Sequence, residues 1–188
     1  MLTVVASLKS VSPYGQSRNY EMDVPKKEKE SSKDREERTW RNRLHVTKEG
    51  KVFIPPMAFK NCLSEAAKFL GVQIPGKGKA TYTKHIEAGV LTPDPLVLDV
   101  KAADVPGVWL FVPASGRRGD GKRVWKCFPV LQEWCGDVTF LVFDETITEE
   151  VFRYHLEQAG KFIGIGFFRP RNNGYYGRFS VEKIQWGV

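Results

Sequence analysis

Residues 50–71, GKVFIPPMAFKNCLSEAAKFLG, carry the clearest local pattern in the sequence. Val52 and Ile54 predict a short extended segment, and the two prolines that follow suit a helix entrance, where a missing N–H group costs little. The apolar residues that come next recur at i, i+3 and i+4 spacing and so form one stripe along a helix. They are Phe59, Cys62, Leu63, Ala66, Ala67 and Leu70. Because Gly71 then provides a helix stop, the stretch predicts a helix over Met57–Leu70.

The segments on either side of this helix include several with the pattern of strands. Leu2–Leu8 alternates, with apolar side chains on one face, and Val138–Phe143 is a nearly continuous apolar run, as expected of a central strand. Pro95–Val100 and Val108–Pro113 are also predicted to be strands. Residues 72–89, which are rich in Gly, Lys and Thr, are predicted to be a loop.

The last predicted strand, RFSVEKIQW, changes parity along its length. Its first two apolar residues, Phe179 and Val181, share one face, whereas Ile184 and Trp186 share the other. A bulge at residues 182–183 would return both pairs to the core.

A second helix is predicted between these last two strands. Thr146 and Glu149 have the spacing of a capping box, and apolar residues continue at helical spacing as far as Ala159. We therefore expect a helix over Glu149–Ala159 that ends at Gly160.

The predicted order is strand, helix, strand, strand, helix, strand, which is the α+β, ferredoxin-like or RRM-like βαββαβ pattern. We expect Leu2–Leu8, Val138–Phe143 and Arg178–Trp186 in one antiparallel sheet, with both helices on one face and the other face left for a partner. The length of 188 residues suggests a single domain, with insertions at about 21–48 and 72–134.

The first insertion contains a strongly charged stretch, Pro25–Arg43, with eight basic and five acidic residues. We interpret it as a solvated surface loop, mobile or partly helical. A binding role is the alternative, because four arginines surround Trp40. They are Arg35, Arg38, Arg41 and Arg43.

A late stretch, Gly160–Phe179, combines five glycines, six aromatic residues and four basic residues with no acid. Arginine can bind phosphate through bidentate, charge-assisted hydrogen bonds, and exposed rings can stack on unpaired bases. The predicted phosphate ligands are Arg169, Arg171 and Arg178. The predicted stacking residues are Phe168, Tyr175 and Tyr176. We assign Phe162, Ile165 and Phe167 to the core.

A second basic element lies between Val108 and Trp134, a segment that predicts a projecting hairpin with a Gly-rich tip. Its candidate phosphate ligands are Arg117, Arg118, Lys122 and Arg123, opposed only by Asp120. A charged hairpin tip with no ligand is the alternative.

Two motifs resemble the RAMP superfamily of CRISPR-associated RNA-binding proteins. Ile54-Pro55-Pro56 and Ala58-Phe59-Lys60 match the start of the "IPGSSLKGALR" stretch, and residues 175–179, YYGRF, match the "GYGRF" ending of the late Gly-rich loop. The resemblance covers most of the chain and implies that Lys60 also contacts RNA. It is strongest to the backbone subunits that polymerise along a guide RNA, which have a ferredoxin-like palm and a hairpin thumb.

This resemblance implies antiviral defence as the context, and three functions stay open. The chain could be a minimal backbone-like subunit that binds single-stranded guide RNA beside further copies of itself or CRISPR effector subunits. It could be a metal-independent endoribonuclease, for which His45 and Asp34 lie in the corresponding region. It could be a phage-encoded mimic that binds or blocks a CRISPR complex. His155 is interpreted as structural, and His85 as a possible phosphate ligand in a loop.

Composition narrows the class of partner. The formal charge of +7 points to an anionic partner, and the absence of a GxxxxGK[ST] motif excludes a P-loop nucleotide hydrolase. No apolar run is long enough for a transmembrane helix, and the start of the chain lacks the basic region of a signal peptide. Three cysteines without a CxxC pair favour a reduced, cytoplasmic protein. We expect neither a metal nor a cofactor.

Overall fold

The computed structural model describes residues 1–20, 24–116, 119 and 121–187. Its strands are β1 (Leu2–Ser10), β2 (Tyr14–Gly15), β3 (Lys51–Ile54), β4 (Val90–Leu91), β5 (Leu96–Lys101), β6 (Gly107–Pro113), β7 (Arg123–Leu131), β8 (Cys135–Val142) and β9 (Phe179–Trp186). Its α-helices are α1 (Ser32–Thr39), α2 (Pro56–Leu70), α3 (Thr83–Gly89) and α4 (Glu149–Gln158).

The main sheet is antiparallel throughout and has the order β4-β8-β1-β9. Strand β1 lies at its centre, where Val4 faces Phe140 of β8 on one side and Trp186 of β9 on the other. The register between β1 and β9 shifts by one residue, since Ser7 pairs with Lys183 and Leu8 with Val181. The predicted bulge at residues 182–183 is therefore confirmed.

Helices α2 and α4 cover the same face of this sheet. The ring of Phe59 on α2 packs against Phe179 of β9, with centroids 6.3 Å apart, and Phe152 on α4 packs against Phe140 of β8 at 5.2 Å. All four rings belong to one buried cluster that also contains the inward residues of β1. The predicted α+β class is confirmed, and this arrangement is consistent with a ferredoxin-like fold.

Two smaller ladders lie outside the main sheet. Strand β3 pairs with β5, and β2, β7 and β6 form a three-stranded sheet in that order. Strands β6 and β7 are the predicted hairpin, joined through a tip at residues 114–122. Neither β5 nor β6, the two predicted middle strands, belongs to the main sheet. Its fourth strand is the two-residue β4, which no sequence pattern identified.

The local signals around α2 correspond closely to the structure. Pro56 opens the helix, the apolar stripe is buried from Phe59 to Ala67, and Gly71 adopts a left-handed conformation with φ of 58°. The Cys62 side chain is fully buried, and burial raises the pKa of its thiol. It is a core residue, as predicted.

Three local predictions are wrong. Helix α4 is capped by the Thr148 hydroxyl, which accepts a hydrogen bond from the Val151 N–H group, and not by Thr146. The chain does not leave helical conformation at Gly160 but continues in a wider π-helical turn over Ala159–Ile163. Residues 83–89 form α3 because Ile86 is buried against the core, which a loop composition conceals.

The charged stretch is also more ordered than a solvated loop. It forms α1 and a following 3-10 turn, Trp40–Arg43, that packs on the base of the hairpin. The Arg43 guanidinium lies 2.7 Å from the Glu36 carboxylate, and both side chains are almost completely buried. Both partners also bond to the backbone of Cys127 on β7, since Arg43 donates to its carbonyl oxygen and its N–H group donates to Glu36, and these two bonds attach the insertion to the hairpin.

Across the described ranges, no helix combines the length and the apolar character needed to span a bilayer.

Candidate nucleic-acid interface

A wide groove lies between the β6–β7 hairpin and the late Gly-rich loop. Residues 17–20 line it together with Arg43, and residues 167–168 and 171–176 of the late loop line it as well. Its volume of about 1580 Å³ exceeds the roughly 300–1,000 Å³ of most small-molecule sites. The two basic elements predicted from the sequence therefore face one another across a space large enough for a polymer.

The charge of this main groove is of one sign. None of the described residues that line it is acidic. Its cations come from four separate parts of the chain. They are Arg18, Arg43, Arg123, Lys126 and Arg171, of which Arg43 is buried and paired with Glu36. A surface lined by cations alone attracts a polyanion.

The groove also contains many aromatic rings. Phe128 on β7 packs against Phe167 of the late loop, with centroids 4.6 Å apart, and this pair joins the two walls. Towards solvent, Phe168, Tyr175 and Phe111 expose 43%, 64% and 47% of their surface. Exposed rings beside cations suit unpaired bases, which stack on aromatic faces.

The shape of the late loop depends on backbone contacts that a side chain would block. A Cβ at Gly174 would overlap the carbonyl group of Phe168, so only glycine fits there. That carbonyl oxygen also accepts a hydrogen bond of 3.1 Å from the Tyr176 N–H group. Phe168 itself has φ of 44°, a left-handed conformation that is rare for a bulky residue. The loop thus holds the Phe168 ring towards the groove at a local conformational cost.

The structure separates the three arginines predicted in this loop. Arg171 is exposed and lines the groove, with its guanidinium carbon 5.4 Å from the centre of the Phe69 ring. Arg169 forms an ion pair of 2.6 Å with Glu65 of α2 and lines a smaller neighbouring groove, not the main one. Arg178 donates from Nε to the Lys161 carbonyl oxygen over 3.3 Å. The sequence near Arg169 contains no acid, but the fold brings Glu65 to it.

The core assignment of the loop's apolar residues is correct for one of three. Ile165 is fully buried, and Phe167 is partly buried against Phe128. The core assignment of Phe162 is wrong, because 49% of its surface is exposed and its ring lies beside the exposed Phe69.

Lys60, which the family resemblance implies to be an RNA contact, does not line the main groove. Its ammonium group donates to the carbonyl oxygens of Ile86 and Glu87 at 2.9 and 2.8 Å and to the Ser64 hydroxyl at 2.8 Å. Burial lowers the pKa of Lys60, which the nearby Glu87 charge partly offsets. These three acceptors account for its three protons and fasten α3 to α2.

In the hairpin, the side chain of Arg123 on β7 lies over the ring of Phe111 on the neighbouring strand β6. The Arg123 guanidinium donates to the Phe111 carbonyl oxygen over 2.7 Å and lies 5.4 Å from the centre of its ring. Lys122 is exposed next to it at the tip. Arg117 and Arg118, also predicted to bind RNA, lie outside the described residues.

A smaller groove of about 460 Å³ extends the main one and shares Ser17, Phe167 and Asn172 with it. His45 lines this extension, and burial lowers its pKa, with a further contribution from the Arg18 charge. Its backbone N–H group donates to Gln16 over 2.6 Å. Asp34 lines none of these grooves and instead bonds to Ser31 at the start of α1.

The other two histidines have structural partners. His85 lies on α3 and not in the predicted loop, and its Nδ1 is 2.6 Å from the Asp144 carboxylate. His155 is fully buried, as interpreted from the sequence, and its Nδ1 donates to the Val151 carbonyl oxygen over 2.7 Å.

Sequence patterns missed much of the hairpin side of the groove. Arg18 and Tyr20 also line the groove, but they come from a segment with no basic cluster of its own, and Phe128 lies in the hairpin without having been predicted as a groove residue. Arg43 lies in the charged stretch, whose composition favours a solvated surface loop, with a binding role as the alternative. The alternation of Leu110 and Val112 with exposed rings on β6 was the one signal that could have indicated a two-faced ribbon.

No family model matches the sequence, and no curated protein matches it. Among solved structures, the chain is similar to one in a structure titled "CRISPR RNA-guided surveillance complex". The identity is 11%, the TM-score is 0.39, and the alignment covers 97% of this chain and 68% of that one. A likeness at this level carries no argument about family or function.

Proposed function

We propose that this chain binds single-stranded RNA along the main groove. The observation that carries the proposal is the lining of that groove, which combines cations from four parts of the chain with exposed rings and has no acid among its described residues. Cations bind the phosphate backbone, and the rings take the bases.

The exposed rings favour a single strand over a duplex. Phe168 and Tyr175 can stack only on bases that are not already stacked in a helix, and each such contact contributes roughly 1–3 kcal/mol. Sequence-specific RNA recognition in general uses unpaired segments of this kind. The preference for RNA over DNA follows from the family resemblance of the two motifs and not from the groove.

The same resemblance supports a finer proposal, that the strand is a guide RNA held by a backbone-like subunit of a CRISPR complex. It rests on residues 54–60 and 175–179 and on the hairpin in the position of a thumb. In this role the chain would lie beside further copies of itself or other effector subunits.

The test is a fluorescence anisotropy titration of the protein with labelled single-stranded and double-stranded RNA and with single-stranded DNA. Lys126→Ala removes a cation from the groove, whereas Lys101→Ala removes one from an exposed site that lines none of the grooves described here. We expect Lys126→Ala to weaken binding of single-stranded RNA several-fold and Lys101→Ala to leave it nearly unchanged. An equal effect of the two variants would mean that binding depends on total charge and not on the groove.

The same samples separate the alternatives. RNA recovered intact after incubation supports binding, whereas shortened RNA that depends on His45 supports the endoribonuclease. Association of the nuclease-treated protein with purified CRISPR subunits, without RNA binding, would support the mimic.

A further inference from the structure

The β6–β7 hairpin has a second, outer face that carries three large exposed aromatic side chains. Trp109 and Phe111 lie two positions apart on β6 and so point to the same side of the ribbon. Trp125 is directly opposite Phe111 on β7, and their ring centroids are 5.4 Å apart. The exposed fractions of Trp109, Phe111 and Trp125 are 40%, 47% and 60%. Exposed apolar patches of this kind usually mark an interaction surface.

This outer face forms one wall of a second groove, of about 870 Å³, whose other wall is α1. Basic residues surround the rings. They are Lys26, Lys33, Arg35, Arg123 and Lys126. The two carboxylates of the groove already have cationic partners, because Glu36 is paired with Arg43 and Glu37 lies 3.7 Å from Lys33. The outer face is therefore a positively charged aromatic surface.

The second groove is continuous with the main one. Both are lined by Phe111, Arg123 and Lys126 of the hairpin and by Tyr20 at its base. A flexible polyanion can pass from one groove to the other without leaving a basic surface.

We propose that the outer face of the hairpin is a second stacking surface for RNA, so that one strand lies in the main groove and continues around the hairpin onto Trp109, Phe111 and Trp125. This inference rests on the proposed function, since it concerns the same strand. It adds a second set of base contacts, and it predicts that affinity grows with strand length beyond what the main groove can hold.

A nucleic acid fits this surface better than a second copy of the chain does. In a symmetric dimer formed by this face, the same patch of each subunit would meet itself. The cations around one set of rings would then lie against the cations around the other, and like charges across an interface are unfavourable. A polyanion instead complements the charge at the same time as it covers the rings.

The experiment compares a short single strand of about six uridines with a long one of about twenty, because single-stranded binding sites typically span about 4–16 nucleotides. Each is titrated into the full chain and into Trp125→Ala and Trp125→Phe. We expect Trp125→Ala to weaken binding of the long strand at least about fivefold, which corresponds to the loss of one stacked base, and to leave the short strand unchanged. Trp125→Phe keeps a stacking ring and should restore binding of the long strand. The long strand should also quench tryptophan fluorescence more than the short strand does.

A matched control is Phe143→Ala, which removes an exposed ring that lines none of the three grooves. Equal affinity of the wild type and Trp125→Ala for the long strand would overturn the inference and leave the proposed function in place. Failure of the wild type to bind either strand would overturn the proposed function and this inference together. A dimer of the RNA-free protein that Trp125→Ala dissociates would assign the surface to a second copy and would also overturn the inference.

Discussion

The Arg169 guanidinium lies 2.6 Å from the Glu65 carboxylate and so fastens the late loop to helix α2. Arg171, two residues further on, forms no ion pair with a carboxylate of the described residues and lies over the Phe69 ring at the edge of the main groove. Two arginines that are neighbours in the sequence therefore make different contacts. The first holds the loop, and the second faces the space proposed for RNA.

Arg171→Ala and Arg169→Ala should separate these tasks. Arg171→Ala should weaken RNA binding and reduce the log–log salt slope by roughly 0.7, the value for one phosphate contact to a single strand. Its melting temperature should stay nearly constant. Arg169→Ala should lower the free energy of unfolding by about 1 kcal/mol, because the pair is only partly exposed.

Anisotropy titrations at several salt concentrations and urea unfolding of both variants provide the measurements. An equal loss of RNA affinity with no loss of stability in either variant would show that Arg169 also contacts phosphate, as the sequence suggested.

The sequence predicted features that depend on neighbouring residues, and it did not predict contacts between residues that are far apart in the sequence. The apolar stripe of α2, its Gly71 stop and the parity change at residues 182–183 are all local, and each was recovered. The pairing of Arg169 with Glu65 and of Arg43 with Glu36 follows from tertiary packing, which no local pattern contains. Residues that line the main groove were predicted where cations cluster along the sequence. Single residues that the fold brings to the groove, such as Arg18 and Tyr20, were not predicted.

Lys60→Met should act on stability. The variant keeps an unbranched side chain but removes the donors that hold the Ile86 and Glu87 carbonyl oxygens at the end of α3. We expect a loss of about 1–3 kcal/mol in the free energy of unfolding, measured by urea denaturation, since hydrogen bonds from a charged group are lost. Reduced RNA affinity at unchanged stability would contradict this structural role and restore the family-based assignment.

Glu36→Ala should strongly destabilise the protein. The change leaves the Arg43 guanidinium buried without its carboxylate, and it also removes the acceptor of the Cys127 N–H group. Breaking a buried pair from one side costs about 3–5 kcal/mol. Glu37→Ala, at the next residue and on the exposed side of the same helix, is the matched control and should cost under about 0.5 kcal/mol in the same denaturation experiment.

His155 should make stability depend on pH. Burial lowers its pKa, and the hydrogen bond to the Val151 carbonyl oxygen only partly opposes this. The unfolded chain therefore takes up the proton first, and stability falls as the pH decreases below about 6.5, by at most about 1.4 kcal/mol per pH unit for one group.

His155→Gln should reduce this slope in urea denaturation between pH 7 and pH 5. Part of the slope should persist, because burial also lowers the pKa of His45. An unchanged slope would mean that His155 does not contribute.

Gly174→Ala should impair RNA binding by displacing the late loop. The added methyl group would overlap the Phe168 carbonyl group, so the backbone that carries Phe168 and Tyr175 must shift. We expect RNA affinity to fall about tenfold or more, the loss of one to two stacked bases, in the anisotropy titration. Gly121→Ala also adds a methyl group to a residue that lines the main groove, but it has open space around it, so this control should weaken binding much less.

The left-handed backbone of Phe168 sets stability against binding at a single position. A glycine there would adopt φ of 44° without steric conflict, whereas phenylalanine does so at a cost on the order of 1 kcal/mol. In a library of variants selected only for heat resistance, glycine should therefore be enriched at position 168. In the same library selected for capture of RNA, an aromatic residue should persist at position 168. The difference in residue frequency between the two selections would show how far RNA binding by the ring outweighs the strain of the backbone.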